Sequence, residues 1–577
     1  MRCRFLILFL LLTAGSSAQL TTRFETSGGT QTPNYSETIS WWKKADAAST
    51  LVKVVEMGAT DAGYPLHLVL ISADKNFSIP AIKKAGKVII LVNNGIHPGE
   101  PDGIDASMLL AKDIIEGKKG LPVQVVLAII PVYNIGGALN RGKYVRVDQD
   151  GPEEKGSRGN SQNLDLNRDF IKCDTKEALS FTRIFHYLDP DVFIDNHVSN
   201  GADYQHIMTL IETQHNKLGG AMGTFQQKVL SPALYASMKK KSFDLVPYVN
   251  HSNETPDKGW PEFWDSPRYS SGYAALWNTF AFVPETHMLK PYRQRVAATL
   301  ALMQSFIDFC AASYQTIIRL RQQTRQQQAT QIAFPIAWKW EPGRFQEVVF
   351  KGYTPGQKMS SVSGLPRLFY DRTKPFEKKV PFYNEYSDTL SVAAPKAYLI
   401  PQGWWKVLER LQANKIAMTR LSKDTTLEVE AYRIQSYQPS GRLFEAHRPN
   451  SNVKLLRSIQ PHSFRKGDYL IPLTGANARF LVETMEPQAE DSYFAWNFFD
   501  AVLGQKEGFS DYAFEETAAA YLSNNPLIRA SLEDRKNRDS VFAKDGGAQL
   551  AFVYQNSPYA ESGFMQYPVY RILHPRK

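Results

Sequence analysis

The chain has 577 residues, of which 43% are hydrophobic and 21% are charged, and its formal net charge at pH 7 is +10. This composition predicts a globular protein with ordinary cores rather than a disordered one, and the length predicts two to four domains. The lysine and arginine residues are scattered and form no dense basic block with interleaved aromatic residues, so no nucleic-acid partner is expected.

Residues 1–18 have the pattern of a secretory signal peptide. Arg2 and Arg4 form a positive segment, residues 5–12 are apolar, and Ser16, Ser17 and Ala18 supply small residues at a cleavage point. The apolar segment is too short to span a bilayer stably, and no later stretch reaches about 18 consecutive apolar residues. We therefore expect a secreted or periplasmic protein with no stable membrane insertion after cleavage.

The cysteine content is low. Removal of the first 18 residues leaves Cys173 and Cys310, which are too few for a thiolate zinc site. A disulfide between them can form in an exported protein. Cys310 suits a buried helix face equally well, so both alternatives stay open.

Apolar periodicity predicts strands that alternate with helices in the first part of the chain. Short apolar runs predict buried strands at residues 66–71, 88–92, 123–131, 191–196 and 280–283. Helical spacing predicts helices at residues 36–56, 102–115, 175–188 and 291–328. The alternation predicts an α/β domain with a largely parallel sheet, and the polar end of the last helix predicts a domain boundary near residue 330.

Residues 331–577 are too numerous for a tail. Strands are predicted at residues 345–353, 425–437 and 468–473, and helices at 404–414, 478–485 and 512–522. We therefore predict a mixed α/β accessory region of one or two domains.

Three of the buried strands are followed by side chains that can do chemistry. His97 and Glu100 follow the strand at 88–92, His197 follows the strand at 191–196, and Glu285 follows the strand at 280–283. Open α/β sheets bind ligands at the carboxyl ends of their strands, and imidazole and carboxylate groups are good zinc ligands. One such motif is weak evidence, but three at one sheet edge predict a site.

The loop at residues 156–170 is polar and rich in glycine and asparagine, and it contains Arg158, Asn167 and Arg168. A guanidinium group can bind a carboxylate with two parallel hydrogen bonds, and a neighbouring asparagine can add a donor. The alternative interpretation is a solvated loop that ends in a helix cap.

In chain order, these motifs resemble the zinc carboxypeptidases (carboxypeptidase A-like metallopeptidases, peptidase family M14). The matching segments are His97-Pro98-Gly99-Glu100, Asn163-Leu164-Asp165-Leu166-Asn167-Arg168, Asn196-His197 and Glu285. The resemblance extends over roughly residues 50–320. It implies a mixed, mainly parallel sheet flanked by helices, and it makes residues 19–330 a zinc carboxypeptidase-like catalytic domain.

The resemblance also implies the chemistry of the site. His97, Glu100 and His197 would be the ligands of one Zn²⁺ ion per chain, and Glu285 would be the general base and acid. Three protein ligands leave zinc an open position for water, whose pKa then falls to about 7. A nearby carboxylate can take the proton of this water and pass it to the leaving amine.

Substrate-binding residues follow from the same resemblance. Arg158 would lie near the scissile carbonyl, and Asn167 with Arg168 would hold the terminal carboxylate of the substrate. The family also has a substrate-clamping tyrosine upstream of its catalytic glutamate. The candidates in this chain are Tyr248, Tyr269 and Tyr273, of which we select Tyr273.

The leading functional prediction is a secreted zinc metallocarboxypeptidase that hydrolyses the C-terminal peptide bond of peptides or proteins through a zinc-bound water activated by Glu285. One alternative is a related zinc amidohydrolase that acts on N-acyl amino acids or cell-wall peptides. These enzymes share a His-x-x-Glu motif but are usually much shorter. Another alternative is a non-catalytic exported binding protein on this fold, although the presence of every ligand candidate argues against it.

Overall fold

The computed structural model describes residues 20–249 and 255–574, so the predicted signal peptide at 1–18 lies outside the described residues. The described residues fall into two compact units. The first contains the residues up to Val392 together with Arg410–Lys415 and Thr474–Phe480, and the second contains Ala393–Glu409, Ile416–Leu473 and the residues from Leu481 onward. Compact units and domains need not coincide, so the domain boundaries at 18 and 330 stay predictions.

The first unit contains both strands and helices. Its strands are β1 (Val52–Ala59), β2 (Pro65–Ser72), β3 (Val88–Asn93), β4 (Val125–Ile130), β5 (Arg141–Gly142), β6 (Lys155–Gly156), β7 (Val192–Asp195), β8 (His197–Val198), β9 (Met208–Glu212), β10 (Val246–Pro247), β11 (Trp260–Pro261), β12 (Phe280–Thr286), β13 (Ala333–Trp340), β14 (Gln346–Met359), β15 (Pro366–Tyr383) and β16 (Tyr386–Ala393). Its helices are α1 (Arg23–Thr26), α2 (Tyr35–Ala48), α3 (Ile79–Lys84), α4 (Asp102–Ile115), α5 (Ile135–Leu139), α6 (Lys176–Leu188), α7 (His215–Leu218), α8 (Gly220–Phe225), α9 (Ser231–Lys240), α10 (Ser270–Leu276) and α11 (Tyr292–Gln328).

The remaining elements follow in the later part of the chain. The strands are β17 (Ala397–Ile400), β18 (Thr419–Arg420), β19 (Thr425–Pro439), β20 (Asn450–Phe464), β21 (Tyr469–Pro472) and β22 (Tyr570–Ile572). The helices are α12 (Trp405–Ala413), α13 (Ala478–Met485), α14 (Asp511–Asn524), α15 (Pro526–Arg538) and α16 (Gly546–Gln555). The antiparallel sheet of the second unit has the order β18-β21-β17-β22-β19-β20.

The large sheet of the first unit is mixed and has the order β1-β2-β4-β3-β7-β12-β9-β10, with β8 paired to β12. The four central strands, β4-β3-β7-β12, are parallel to one another. The pairs β1/β2, β2/β4 and β9/β12 are antiparallel. Every residue of β3 is buried, as expected for a parallel strand covered on both faces. The predicted α/β fold with a mixed, mainly parallel sheet is therefore confirmed.

Helices cover both faces of this sheet. On one face α11 packs on β3 and α4 packs against α11, and Val92 and Ile104 belong to the same buried cluster. On the other face lie α6 and α10, where the rings of Phe181 and Phe193 are 5.6 Å apart. Arg295 of α11 donates from Nε to Oδ2 of Asp102 at 3.0 Å, and both groups are buried. This ion pair fixes the start of α4 directly after the turn that contains Glu100.

The predicted helix at residues 36–56 is only partly correct. The helix α2 ends at Ala48, and residues from Val52 onward form β1. Val52 lies opposite Ile71 of β2, so pairing with a neighbouring strand decides the structure of this β-branched segment. The helical spacing of apolar residues within this segment cannot reveal its pairing with a distant strand.

Among the described residues, α11 is the one helix long and apolar enough to cross a membrane by length and composition. Of its most apolar 18-residue window, 56% is buried within the protein, as in a core helix. Cys310 on this helix and Cys173 are both buried free thiols, so the structure has no disulfide between them.

Candidate active site

Three potential metal ligands meet at the carboxyl edge of the central strands. His97 and Glu100 lie in the turn after β3, and His197 begins β8. All three are buried, and their ligand atoms lie within 4.8 Å of one another. Nδ1 of His97 is 3.2 Å from Oε1 of Glu100, and Nδ1 of His197 is 3.1 Å from Oε2 of Glu100. The two imidazoles therefore face the carboxylate through the same ring atom.

The outer nitrogen of each imidazole is held by a second carboxylate. Nε2 of His97 is 2.9 Å from Oδ1 of Asp165, and Nε2 of His197 is 3.1 Å from Oδ2 of Asp195. Metal-binding histidines are commonly oriented in this way. Apart from its 3.2 Å approach to Oε1 of Glu100, buried Nδ1 of His97 has no polar partner among the described residues. Two imidazole nitrogens and a carboxylate form a donor set suited to catalytic zinc, so the residues fit this metal.

The turn that presents Glu100 depends on close backbone approach. A Cβ atom on Gly99 would lie 2.7 Å from Cδ of Arg146 and 2.9 Å from the carbonyl oxygen of Gly156. Arg146 crosses over this glycine and donates to Oε1 of Glu100. Burial raises the pKa of Glu100, but the positive charges of Arg146 and His97 outweigh burial and hold this pKa well below its usual range. The carboxylate of Glu100 is therefore charged at neutral pH, as a candidate metal ligand should be.

Glu285 lies beside this cluster near the end of β12. It is opposite His197 of β8 in the parallel register and opposite Thr209 of β9 in the antiparallel register. Its side chain is half-buried. Burial raises the pKa of Glu285 to about 7; the charge of Glu100 adds to this shift and that of His197 opposes it. A carboxyl group with a pKa near neutrality can both accept and donate a proton there.

These residues surround a cleft of about 220 Å³. The predicted substrate-binding residues Arg158, Asn167 and Arg168 all line it. Asp165 holds them together: it accepts hydrogen bonds at 2.9 Å from Nε of Arg158 and from the backbone N–H of Asn167. The guanidinium of Arg168 lies 4.6 Å from the ring centre of Tyr269. The cleft thus combines a candidate metal site, a carboxylate and two guanidinium groups.

Residues 38–254 match the family model described as zinc carboxypeptidase, a range that includes the three candidate metal ligands and the predicted substrate-binding residues Arg158, Asn167 and Arg168 but not Glu285. This match agrees with the resemblance to the zinc carboxypeptidases that the sequence motifs indicate. It is 20% identical over 513 residues to Carboxypeptidase 2 of Trichophyton equinum, covering 83% of this chain and 87% of that protein. Carboxypeptidase 2 of Trichophyton rubrum is 20% identical over 449 residues, covering 73% and 76%.

Solved carboxypeptidase structures are also similar to part of the chain. Carboxypeptidase A from Helicoverpa armigera has a TM-score of 0.37 and 15% identity, covering 49% of this chain and 74% of that one. A metallo-carboxypeptidase from Pseudomonas aeruginosa has a TM-score of 0.37 and 14% identity, covering 49% and 69%.

Tyr273, the tyrosine selected from the sequence as a substrate-binding residue, does not line the cleft. Tyr273 lies in α10, is fully buried, and has its hydroxyl group 3.2 Å from Nε2 of His186. Its ring packs against Phe185 on the face of the sheet, outside the cleft. Tyr248 and Tyr269 line the cleft instead. The three tyrosines could not be separated by sequence, because the fold of the chain before α10 decides which of them faces the metal cluster.

Three residues that organise the candidate site have no role in the sequence-based prediction. Asp165 belongs to the Asn163–Arg168 motif and Asp195 lies near the end of the strand predicted at residues 191–196, so the position of each indicates a possible role. Arg146 has no such indication: it reaches Glu100 from an irregular loop, where its backbone φ is +52°. The proximity of His97, Glu100, His197 and Glu285 agrees with the prediction, while their roles stay predictions.

Proposed function

We propose that this protein is a zinc-dependent metallocarboxypeptidase that removes the C-terminal residue of peptides or proteins. The observation that carries the proposal is one cleft lined by His97, Glu100, His197, Glu285 and Arg168. An amidohydrolase or a binding protein on the same fold has no comparable support from the described residues.

His97, Glu100 and His197 would hold one zinc ion per chain. When bound, zinc acts as a Lewis acid towards a carbonyl group and towards water. Asp165 and Asp195 would hold the ligand imidazoles in the tautomer that leaves Nδ1 without a proton. The charged state of Glu100 at neutral pH suits this role.

Glu285 would handle the proton of the reaction. Its carboxylate accepts a proton from the attacking water and delivers it to the nitrogen of the leaving amine. The pKa of about 7 that burial gives Glu285 suits both transfers near neutral pH. Arg158 would stabilise the negative charge that develops on the carbonyl oxygen.

Arg168 and Asn167 would select the end of the chain. A guanidinium group binds a terminal carboxylate through charge-assisted hydrogen bonds, and Asn167 can add a donor. The side chain of Arg168 is 20% exposed and its own carboxylate partner, Oδ2 of Asp165, is 3.8 Å away, so a substrate that lacks the carboxylate would cover this cation with only a long ion pair. This cost favours cleavage at the C-terminus over cleavage within a chain.

A mixed peptide library incubated with the purified protein, with and without a zinc chelator, tests the proposal by mass spectrometry. Stepwise loss of single C-terminal residues that chelation abolishes and Zn²⁺ restores is the expected result. Cleavage confined to N-acyl amino acids or cell-wall peptides would favour the amidohydrolase alternative. A protein that binds no zinc and cleaves nothing would favour the binding-protein alternative.

We also propose that the protein acts outside the cytoplasm, in the periplasm or in the medium. The support is the signal-peptide pattern of residues 1–18. The expectations of no nucleic-acid partner and no membrane insertion after cleavage stay predictions.

A further inference from the structure

A second cavity, of about 350 Å³, adjoins the cleft. Ile211, Tyr248 and Phe263 line both volumes and form the boundary between them. The other walls include Tyr235 of α9 and Val348 of β14. Its volume is that of a small-molecule pocket, so it has room for a side chain of a peptide bound in the cleft.

The carboxylates of this cavity stand among neutral polar side chains. Its lining contains Glu212, Glu262 and Glu347, and within residues 20–249 and 255–574 no lysine or arginine lines it. Glu347 is exposed and paired with Lys379 at 3.2 Å, which leaves Glu212 and Glu262 as the relevant carboxylates. Oε2 of Glu262 is buried and has no hydrogen-bond partner among the residues that the structure describes, and Oε2 of Glu212 accepts a hydrogen bond from Ser231. In the described part of the chain neither Glu212 nor Glu262 forms a salt bridge. Buried carboxylates without a cation are costly, so a cationic guest would stabilise them.

Lys217, a nearby cation, is paired with another carboxylate and does not neutralise Glu262 or Glu212. Lys217 donates to Oδ1 of Asp265 at 2.6 Å. Burial raises the pKa of Glu262 well above its usual range, and the charge of Glu212 adds to the shift. Burial also raises the pKa of Glu212 to about 7. A cation between the two carboxylates would favour their charged forms.

A row of aromatic rings leads from Arg168 to this cavity. Below the Arg168 guanidinium lies Tyr269, whose ring centre is 5.1 Å from that of Phe263. The ring of Phe263 is in turn 6.0 Å from that of Tyr248, and both rings line the cavity. A residue whose carboxylate lies at Arg168 therefore has its side chain next to the boundary of the acidic cavity.

We propose that this cavity binds the basic side chain, lysine or arginine, of the C-terminal residue of the substrate, and that Glu262 and Glu212 determine this specificity. The inference rests on the proposed carboxypeptidase function. A divalent cation fits less well: among the described residues, His97, Glu100 and His197 form the one group of three or more potential ligands close enough to share an ion.

Matched peptides that end in arginine or in citrulline test the proposal, because the two side chains have nearly the same shape and differ in charge. The ratio of kcat/KM for arginine over citrulline should be about tenfold or more in the wild type, the size of a charge-assisted hydrogen bond. In Glu262→Gln the ratio should fall towards one, and Glu212→Gln should lower it as well. A ratio near one in the wild type, or a ratio that neither substitution changes, would overturn the proposal.

Glu428→Gln is the matched control, because Glu428 is an exposed residue of β19, outside both cavities, and should keep the wild-type ratio. A binding experiment separates this proposal from the proposed function. Calorimetry with zinc-loaded Glu285→Gln should give tighter binding of the arginine peptide than of the citrulline peptide, even if no peptide is cleaved. The double variant Glu262→Gln/Glu285→Gln should lose this preference. Equal affinities, or no binding of either peptide, would overturn the specificity proposal.

Discussion

Replacement of Asp165 by asparagine tests whether the carboxylate that contacts Nε2 of His97 organises the candidate metal site. Asp165 receives three contacts of 2.9 Å: Oδ1 faces Nε2 of His97 and the backbone N–H of Asn167, and Oδ2 accepts from Nε of Arg158. Asparagine keeps the shape but has one acceptor oxygen. If this oxygen stays with His97 and Asn167, the amide nitrogen faces the guanidinium of Arg158, donor against donor.

The expected loss has two parts. Removal of the negative charge next to His97 makes the imidazole a weaker ligand, and loss of such a carboxylate typically lowers metal affinity by about tenfold to a hundredfold. This range corresponds to about 1.4–2.7 kcal/mol of binding free energy. The side chain of Arg158 is 43% exposed, so loss of its ion pair adds at most about 1 kcal/mol to the cost in protein stability.

The dissociation constant for zinc, measured by competition with a chromophoric chelator, is the readout. Asp534→Asn provides a matched control, because Asp534 forms an exposed ion pair with Arg538 in the second unit and should leave zinc affinity unchanged. A zinc dissociation constant for Asp165→Asn within twofold of the wild-type value would refute the role given to Asp165.

Four further outcomes are expected. Glu285→Gln should keep zinc but lower kcat by about a hundredfold to ten-thousandfold, measured by peptide hydrolysis, and near-normal turnover would contradict its role as base. Arg168→Ala should lower the preference for free over amidated C-termini by about tenfold or more, and unchanged discrimination would count against its contact with the carboxylate. Burial raises the pKa of Asp105 from 3.8 to about 7, so between these pH values the folded protein holds a proton that the unfolded chain has released. The contribution of protonated Asp105 to the free energy of unfolding is complete below pH 3.8 and is lost as pH rises through 7. Asp105→Asn should therefore raise the urea midpoint more at pH 8 than at pH 5, and an equal change at both values would exclude this titration. Finally, the mature exported protein should begin at Gln19, and an intact mass that retains residues 1–18 would exclude cleavage there.

The central part of the fold could be predicted because its strands are continuous apolar runs. The residues of β3 and β4 are buried on both faces, and such runs identify strands without knowledge of their partners. The helix α4 was predicted with its observed bounds, since its apolar side repeats at helical spacing. The start of β1 was missed, because Val52 becomes part of a strand only through its contact with Ile71.

The candidate site could be predicted where function follows a strand end. His97, His197 and Glu285 come directly after or within strands whose register brings them together. Arg146 and the choice among the tyrosines depend on loop conformation instead. No local sequence pattern predicts that Arg146 lies over Gly99 or that the ring of Tyr273 packs against Phe185 of α6. The contacts made by the loops around the candidate site could therefore not be predicted from the sequence.

The position of β12 in the sheet affects how this protein can fold while it is being synthesised. It is the last strand of the large sheet along the chain, yet it lies between β7 and β9. Until residues 280–286 have left the ribosome, β7 keeps an unpaired edge and the β9–β10 pair has no central strand to join. Open strand edges invite aggregation, so a nascent chain of this protein is expected to need protection until β12 is inserted. The same insertion brings Glu285 beside His197, so the nascent chain acquires its complete set of candidate catalytic groups only when the last strand of the sheet is in place.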